Sequence, residues 1–139
     1  MRRCVCLALL IVGLISHPAR AEDSLYMRLG GQEGVVRIVA VSVALWLADD
    51  RIKADFDNIN LDRLKKRLVA QFCQLTGGSC EYKGRPMKAA HAGLGLTQAK
   101  FNALAEDLQT AMERVGIPYW TQNQLMALLA PMQRDVVTK

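Results

Sequence analysis

Two stretches of this chain repeat apolar residues every three or four positions, and this period restricts the fold more than any other feature. Residues 61–75, LDRLKKRLVAQFCQL, place their leucines and a phenylalanine on one helical face, and residues 98–115, QAKFNALAEDLQTAMERV, do the same. Asn60 and Thr97 stand at the positions where helix N-caps are expected, and glycines follow both stretches. The sequence therefore predicts two amphipathic helices.

A third stretch, residues 34–50, is less decisive because it is apolar almost throughout. Its valines and isoleucine favour a strand, whereas its length fits a buried helix. A helix is the better interpretation, since no partner strand is evident. Residues 121–124, TQNQ, have the pattern of a capping box and predict a last helix that Pro131 bends or weakens. The pattern is that of a single all-α domain over residues 22–139.

The first 21 residues are typical of a cleaved secretory signal peptide. Arg2 and Arg3 precede an apolar run over residues 4–15, and small residues flank the expected cut after Ala21. The run is short for a membrane span, so an uncleaved anchor is the weaker alternative. We expect an exported protein, with the bacterial periplasm as its compartment and no stable membrane anchor.

Charge and cysteine content change once this leader is removed. Taking its three arginines from the 18 basic residues leaves 15 against 13 acidic ones, which gives no reason to expect nucleic-acid binding. Cys73 and Cys80 remain, and the segment between them contains a Gly-Gly pair. In an exported protein such a pair favours a disulfide, while the alternative, a metal site, lacks further Cys or His nearby.

His91 is the only histidine outside the leader. A catalytic triad finds no support around it, and a zinc site needs three or four protein ligands. Haem, by contrast, needs one axial ligand and an apolar slot. Apolar residues of the two amphipathic helices flank it in sequence: Leu64, Leu68, Phe72, Phe101, Leu104 and Leu108. From the pattern alone, a haem slot and an ordinary core both remain open.

Five stretches together form a more specific pattern. They are SLYMRLGGQEG at 24–34, LADDRIKADF at 47–56, TGGSCEYKGRPMKAAHAGLGLT at 76–97, VGIP at 115–118 and LAPM at 129–132. This pattern resembles that of group I truncated haemoglobins, the short two-over-two globins. The resemblance implies a two-over-two helical sandwich that encloses haem b.

The resemblance also assigns roles to individual residues. It makes His91 the proximal ligand of the iron and places Arg67 and Tyr82 near the haem propionates. The residues implied to contact the haem are Phe56, Leu64, Arg67, Leu68, Phe72, Tyr82, Met87, Phe101 and Leu104. Some members of the family carry a lysine or histidine as a sixth ligand at the position of Arg67. Because arginine cannot ligate iron, we expect a five-coordinate ferrous haem here.

The distal side departs from the family pattern. Many members carry a tyrosine and a glutamine that donate hydrogen bonds to dioxygen, and here Val43 and Leu68 occupy those positions. Leu108 and Leu129 also align with the distal cavity, and Ser42 is the one residue expected to donate. A hydrogen bond to a charged acceptor contributes about 1.5–3 kcal/mol. The resemblance thus implies weak oxygen binding, with CO and NO relatively favoured.

Several functions fit these features. The first is a gas-binding protein, with O2, NO or CO as ligand, acting as carrier, scavenger or sensor. Peroxidase activity is disfavoured because no distal acid or base is evident, and NO dioxygenase activity is disfavoured because oxygen binding is expected to be weak. Electron transfer with a redox partner, or a homodimer, would use an apolar stripe of Ile38, Val41 and Leu45, which fits burial against another helix equally well. A haem-free helical module that inhibits or chaperones another exported protein is the last alternative.

Overall fold

Helices form the scaffold of residues 24–139, the part of the chain that the computed structural model describes, and no strand occurs in that range. In chain order they are α1 (Leu25–Arg28), α2 (Gly31–Ala48), a 3-10 helix (Lys53–Phe56), α3 (Leu61–Leu75), α4 (Met87–His91), α5 (Gln98–Arg114), α6 (Tyr119–Leu129), a second 3-10 helix (Ala130–Met132) and α7 (Gln133–Val136). The all-α prediction is confirmed. The predicted leader, residues 1–21, lies outside the described residues.

The ambiguous apolar stretch is a helix, α2, and it packs against both α3 and α5. It begins at Gly31, a turn before the sequence pattern suggested. By length and composition α2 is apolar enough to cross a membrane, but its inner face belongs to the hydrophobic core. Its buried residues are Gly31, Val35, Ile38, Val39, Ser42, Val43 and Trp46.

Both predicted caps are present. The Asn60 side-chain oxygen accepts a hydrogen bond from the Arg63 N–H at 2.8 Å, and the Thr97 hydroxyl oxygen accepts one from the Lys100 N–H at 3.3 Å. Each bond satisfies an N–H that the first turn of a helix leaves unpaired. These caps fix the starts of α3 and α5, the two helices that lie on either side of the site described below.

The predicted capping box at Thr121 is wrong, because α6 starts earlier. Pro118, with ψ of 141°, is the residue that opens the helix, and its carbonyl accepts the N–H groups of Thr121 and Gln122 at 2.9 and 3.1 Å. Thr121 is therefore buried inside the first turn. Pro131 acts as predicted: α6 ends at Leu129 and the chain continues as a 3-10 turn.

The predicted surface stripe of Ile38, Val41 and Leu45 is not formed. Ile38 is 0% exposed and belongs to the core, while Val41 and Leu45 are half-buried. The large apolar side chains that α2 does expose are Val36 and Leu47. Of the two expectations for these residues, burial against other helices holds; the sequence left both open because a helix that is apolar all round does not reveal which face it buries.

Cys73 and Cys80 form a disulfide with Cα atoms 5.8 Å apart, as predicted for this cysteine pair. The Gly-Gly pair lets the chain turn between them. Gly77 has a φ of +89°, and a Cβ on Gly78 would lie 2.4 Å from the Cys73 sulfur. The second glycine is thus needed for close packing against the bridge.

Candidate cofactor site

A cavity of about 1300 Å³ opens between α3 and α5 and reaches α4 and α6. Twelve of the predicted site residues line it: Phe56, Leu64, Arg67, Leu68, Phe72, Tyr82, Met87, His91, Phe101, Leu104, Leu108 and Leu129. The two apolar helix faces that the sequence placed on either side of His91 therefore do enclose a common slot.

His91 is the last residue of α4, and its ring is oriented by the backbone. The Nδ1 atom lies 2.8 Å from the carbonyl oxygen of Met87, one turn earlier. A carbonyl oxygen only accepts, so Nδ1 must carry the proton in this contact. In the neutral imidazole the lone pair is then on Nε2, the atom that remains available to a metal. The side chain is partly buried and lines the cavity.

Trp46 also lines the cavity, and it is a residue that the sequence did not single out. Its ring stacks on Phe56 with centroids 5.8 Å apart and planes 11° from parallel. The indole Nε1–H donates to the carbonyl oxygen of Leu104 at 3.1 Å. Trp46 therefore joins α2, the 3-10 helix and α5 at one wall of the slot.

Ser42 and Val43, predicted to face a distal ligand, are placed elsewhere. Both are fully buried in the core, and neither is among the residues that line the cavity. The Ser42 hydroxyl donates to the Ile38 carbonyl at 2.8 Å, a bond within its own helix. Trp46, one turn further along, is the residue of α2 that reaches the cavity. The expected placement of Ser42 and Val43 beside the ligand is corrected, because α2 turns Trp46, and not these two residues, toward the cavity.

Gln71 is a second lining residue that the sequence analysis missed. Its Nε2 atom is 3.4 Å from the Met87 sulfur and 3.6 Å from the Met132 sulfur. Its position a turn after Leu68 on the apolar face of α3 was the available signal. Because the amide points to Met87, it lies on the side of the cavity that carries His91.

The mouth of the cavity is basic. Arg63, Arg67, Lys83 and Arg85 line it, together with the ion pair in which Lys100 Nζ lies 2.6 Å from a carboxylate oxygen of Asp55. A mouth with several cations fits a ligand that carries two carboxylates. Arg63, Lys83 and Arg85 were missed because loops and polar helix faces carry no periodic signal.

Tyr82 shapes the loop beside this mouth. Its hydroxyl donates to the carbonyl oxygen of Arg85 at 3.1 Å, and its ring covers Gly84 so closely that a Cβ there would lie 2.1 Å from the ring. The Tyr-x-Gly motif is thus a packing requirement, since only glycine leaves room for the ring. Tyr82 holds Arg85 at the cavity edge.

The groups with shifted pKa values lie away from the cavity, near the end of α2. A hydrogen bond from the Arg51 guanidinium lowers the pKa of Asp49. Burial, followed by the neighbouring Asp49 carboxylate, raises the pKa of Asp107. Arg51 also contacts Glu106 on α5 at 2.7 Å. These groups link α2 to α5 and take no part in the cavity.

The residues present fit a haem. The cavity offers one imidazole with Nε2 available, apolar walls for a flat macrocycle and cations for its propionates, which is what haem asks of a protein. Within residues 24–139 no cluster of three His, Cys, Asp or Glu side chains exists that would bind an ion directly. His91 would ligate the iron, and Arg63, Arg67 and Arg85 would face the propionates.

Comparison with known proteins agrees with this fit. The model of the bacterial-like globin family matches residues 24–138. The chain belongs to this family. It is 33% identical to the group 1 truncated haemoglobin GlbN of Mycolicibacterium paratuberculosis, over 90% of this chain and 93% of the relative. It is also 33% identical to a group 1 truncated haemoglobin of Tetrahymena thermophila, over 86% and 99% of the two chains.

Solved structures place this globin in the same fold. The Fe(III) form of the truncated haemoglobin from Tetrahymena pyriformis superposes with a TM-score of 0.81 at 28% identity, covering 84% of this chain and all of the other. The 2/2 haemoglobin from a Synechococcus species superposes with a TM-score of 0.78 at 27% identity. The predictions of a group I truncated globin, a two-over-two fold and a haem cofactor are confirmed. As a globin of this group, the protein binds small diatomic ligands.

Proposed function

We propose that this globin is a periplasmic haem protein that binds NO and CO in preference to O2, and that it scavenges or senses NO. Haem supplies the ligand-binding iron; the chain decides which gas is held. The observation that carries the proposal is the apolar distal wall, formed by Leu64 and Leu68 of α3, Leu104 and Leu108 of α5, and Leu129 of α6.

Three polar side chains of α2 and α3, those of Ser42, Trp46 and Gln71, already have hydrogen-bond partners. The Ser42 hydroxyl donates to the Ile38 carbonyl, and the Trp46 indole donates to the Leu104 carbonyl. The Gln71 amide points to Met87, on the side of His91. A ligand beside the leucines would therefore meet no free donor from these three residues.

This arrangement discriminates between gases. Dioxygen draws negative charge when it binds to ferrous haem, and a hydrogen-bond donor then contributes about 1.5–3 kcal/mol, whereas CO and NO depend less on a donor. Without the donor, oxygen should dissociate about tenfold to a hundredfold faster than from a relative that has one. The same lack of a distal acid or base argues against turnover of peroxide.

Export is the second part of the proposal. It is supported by the signal-peptide pattern of residues 1–21 and by the Cys73–Cys80 disulfide, a bond that persists in oxidising compartments. Mass measurement of protein recovered from a bacterial periplasm tests it. A mature chain that begins at Glu22, with the two cysteines bonded, is the expected result, and retention of the uncleaved chain in the membrane would contradict it.

The ligand preference is tested by spectra and kinetics of the haem-bound protein. We expect a five-coordinate ferrous spectrum, a stable CO complex and oxygen dissociation too fast for a stable complex in air. His91→Gly should lose the haem band, and free imidazole should restore it, because imidazole can replace the missing ligand. Slow oxygen dissociation would contradict the proposed preference, whereas a His91→Gly variant that keeps its haem band without imidazole would contradict the assigned ligand.

A further inference from the structure

The helix that carries the iron ligand is too short to be stable alone. The five residues of α4, Met87–His91, fall well below the length at which an isolated helix forms in water. Among the described elements, α4 packs chiefly on α7, Gln133–Val136, and Val136 also lines the haem cavity. The orientation of His91 thus depends on a segment more than forty residues away in sequence.

The chain beyond α7 then binds the loop that follows His91. The carbonyl oxygen of Leu96 accepts the backbone N–H groups of both Thr138 and Lys139, at 2.9 and 3.2 Å. In addition, the aliphatic part of the Lys139 side chain lies over Gly95, where a Cβ would meet it at 3.1 Å. The tail, residues 137–139, is therefore docked along the proximal loop.

That loop would otherwise have little to hold it. Between His91 and Leu96, both Gly93 and Gly95 adopt positive φ angles, +78° and +63°. Glycine reaches these angles without strain but leaves the chain free to take others. The one local backbone bond in this stretch runs from the Leu94 N–H to the His91 carbonyl at 3.2 Å. Because the tail fixes Leu96, it also limits the positions that the C-terminal end of α4 can take.

We propose that the backbone of Thr138 and Lys139 is a positioning element for the proximal histidine. By holding Leu96, the tail sets the tilt and height of the His91 imidazole beneath the haem, and so sets the strength of the iron–Nε2 bond. Residues that never touch the cofactor would in this way control how firmly haem and its gaseous ligand are held. Residues 137–139 are not among those that line the cavity with the distal leucines. The proposed role of the tail is therefore separate from the ligand preference.

Proline substitution tests the two hydrogen bonds directly because proline has no N–H. Val137 has φ −76° and ψ 121°, an extended conformation that a following proline accepts, so Thr138→Pro is compatible with the backbone before it. Thr138→Ala combined with Lys139→Ala is the matched control, since it removes both side chains and keeps both N–H groups. Lys139→Pro alone removes only the longer bond and serves as a milder variant.

The readouts are the iron–histidine stretching frequency of the ferrous, unliganded holoprotein and the rate of haem transfer to apomyoglobin. Thr138→Pro should shift or broaden the stretching band and speed haem loss roughly fivefold to tenfold, the effect of losing about one hydrogen bond. Lys139→Pro should give a smaller change of the same kind, and the alanine control should match the wild type.

Two results would overturn the proposal. One is an unchanged stretching band in Thr138→Pro; if haem loss were nevertheless faster, this would mean general loosening without repositioning of His91. The other is an equal change in the alanine control, which would assign the effect to side chains. Circular dichroism of each holoprotein shows whether the fold is kept, and if Thr138→Pro does not fold, the same criteria apply to Lys139→Pro.

Discussion

The indole of Trp46 stacks on the ring of Phe56, with ring centroids 5.8 Å apart, and at the same time donates its N–H to Leu104. A single side chain of α2 thereby connects the 3-10 helix to α5 across the wall of the haem cavity. Trp46 is 2% exposed, whereas the other tryptophan, Trp120, is 73% exposed. The two residues form a natural pair for comparing burial.

Trp46→Leu should destabilise the protein by about 2–4 kcal/mol, because it leaves a cavity and removes both the stack and the hydrogen bond. Trp120→Leu, the control, should change stability by less than about 0.5 kcal/mol. Urea unfolding followed by circular dichroism gives both values. Equal effects of the two substitutions would show that Trp46 does not support the cavity wall.

A donor introduced into the distal wall should restore oxygen binding. Leu68→Gln places an amide where the wild type has only leucine side chains, and oxygen dissociation should slow by about tenfold or more. Ser42→Ala is the control: its hydroxyl is committed to Ile38, so the rate should change less than about twofold. Stopped-flow measurement decides. A large acceleration in Ser42→Ala would mean that this hydroxyl reaches the ligand after all.

Reduction of the Cys73–Cys80 disulfide should weaken haem retention, because the bridge pins the start of the chain segment that leads to Met87 and His91. With the two bonded cysteines separated by seven positions in sequence, the loss of cross-linking corresponds to about 2 kcal/mol of stability. We expect faster haem transfer to apomyoglobin in the presence of a reductant. A Cys73→Ala/Cys80→Ser variant should lose haem equally fast with and without it. Identical rates for oxidised and reduced wild type would refute the prediction.

Asp107 should make stability depend on pH. Its pKa is raised above the usual 3.8, first by burial and then by Asp49, so the native state holds this proton more tightly than the unfolded chain does. The stability that this proton contributes is complete below the usual pKa and is lost as the pH rises through the raised value. One buried oxygen of the carboxylate also has no hydrogen-bond partner within residues 24–139.

Asp107→Asn should therefore raise the melting temperature at pH 7 by a few degrees, and the gain should shrink as the pH approaches 4. The amide can donate an N–H to Asp49 and carries no charge at any pH. Glu113→Gln is the control, because this residue is exposed on the same helix and is not among the groups that raise the pKa of Asp107, so it should have little effect. A gain that is the same at pH 4 and pH 7 would exclude the raised pKa as its cause.

The elements that could be predicted best from the sequence are the amphipathic helices, because their apolar residues recur with the helical period. Helices α3 and α5 and their caps could be predicted because polar and apolar side chains fall on opposite faces of each helix. The same period identified the six apolar residues that line the cavity together with His91. On α2 that contrast is missing, because polar residues are too few to mark a solvent side. The rotation of α2, and with it the places of Ser42, Val43 and Trp46, was therefore not readable from the pattern.

The residues at the mouth of the cavity were harder to predict from the sequence, for another reason. Arg85 lies in a loop that is shaped by the Tyr82 hydroxyl bond, and the loop after α4 is bonded to a tail that lies far away in sequence. Both contacts are made by segments that have no period of their own. His91 was singled out because one imidazole in an otherwise histidine-free domain has few chemical uses, and the resemblance to truncated haemoglobins assigned it to the iron.

The disulfide has a consequence for how this chain can change. A side chain at position 78 would collide with the Cys73 sulfur at 2.4 Å, and the next contacts, with the Cys73 carbonyl oxygen and the Tyr26 ring, are already at 3.0 Å. Substitutions at positions 73 and 78 are thus coupled: a lineage that keeps the bridge cannot vary Gly78. An engineer who transfers the bridge to a cysteine-free relative must therefore also place a glycine at the position equivalent to Gly78.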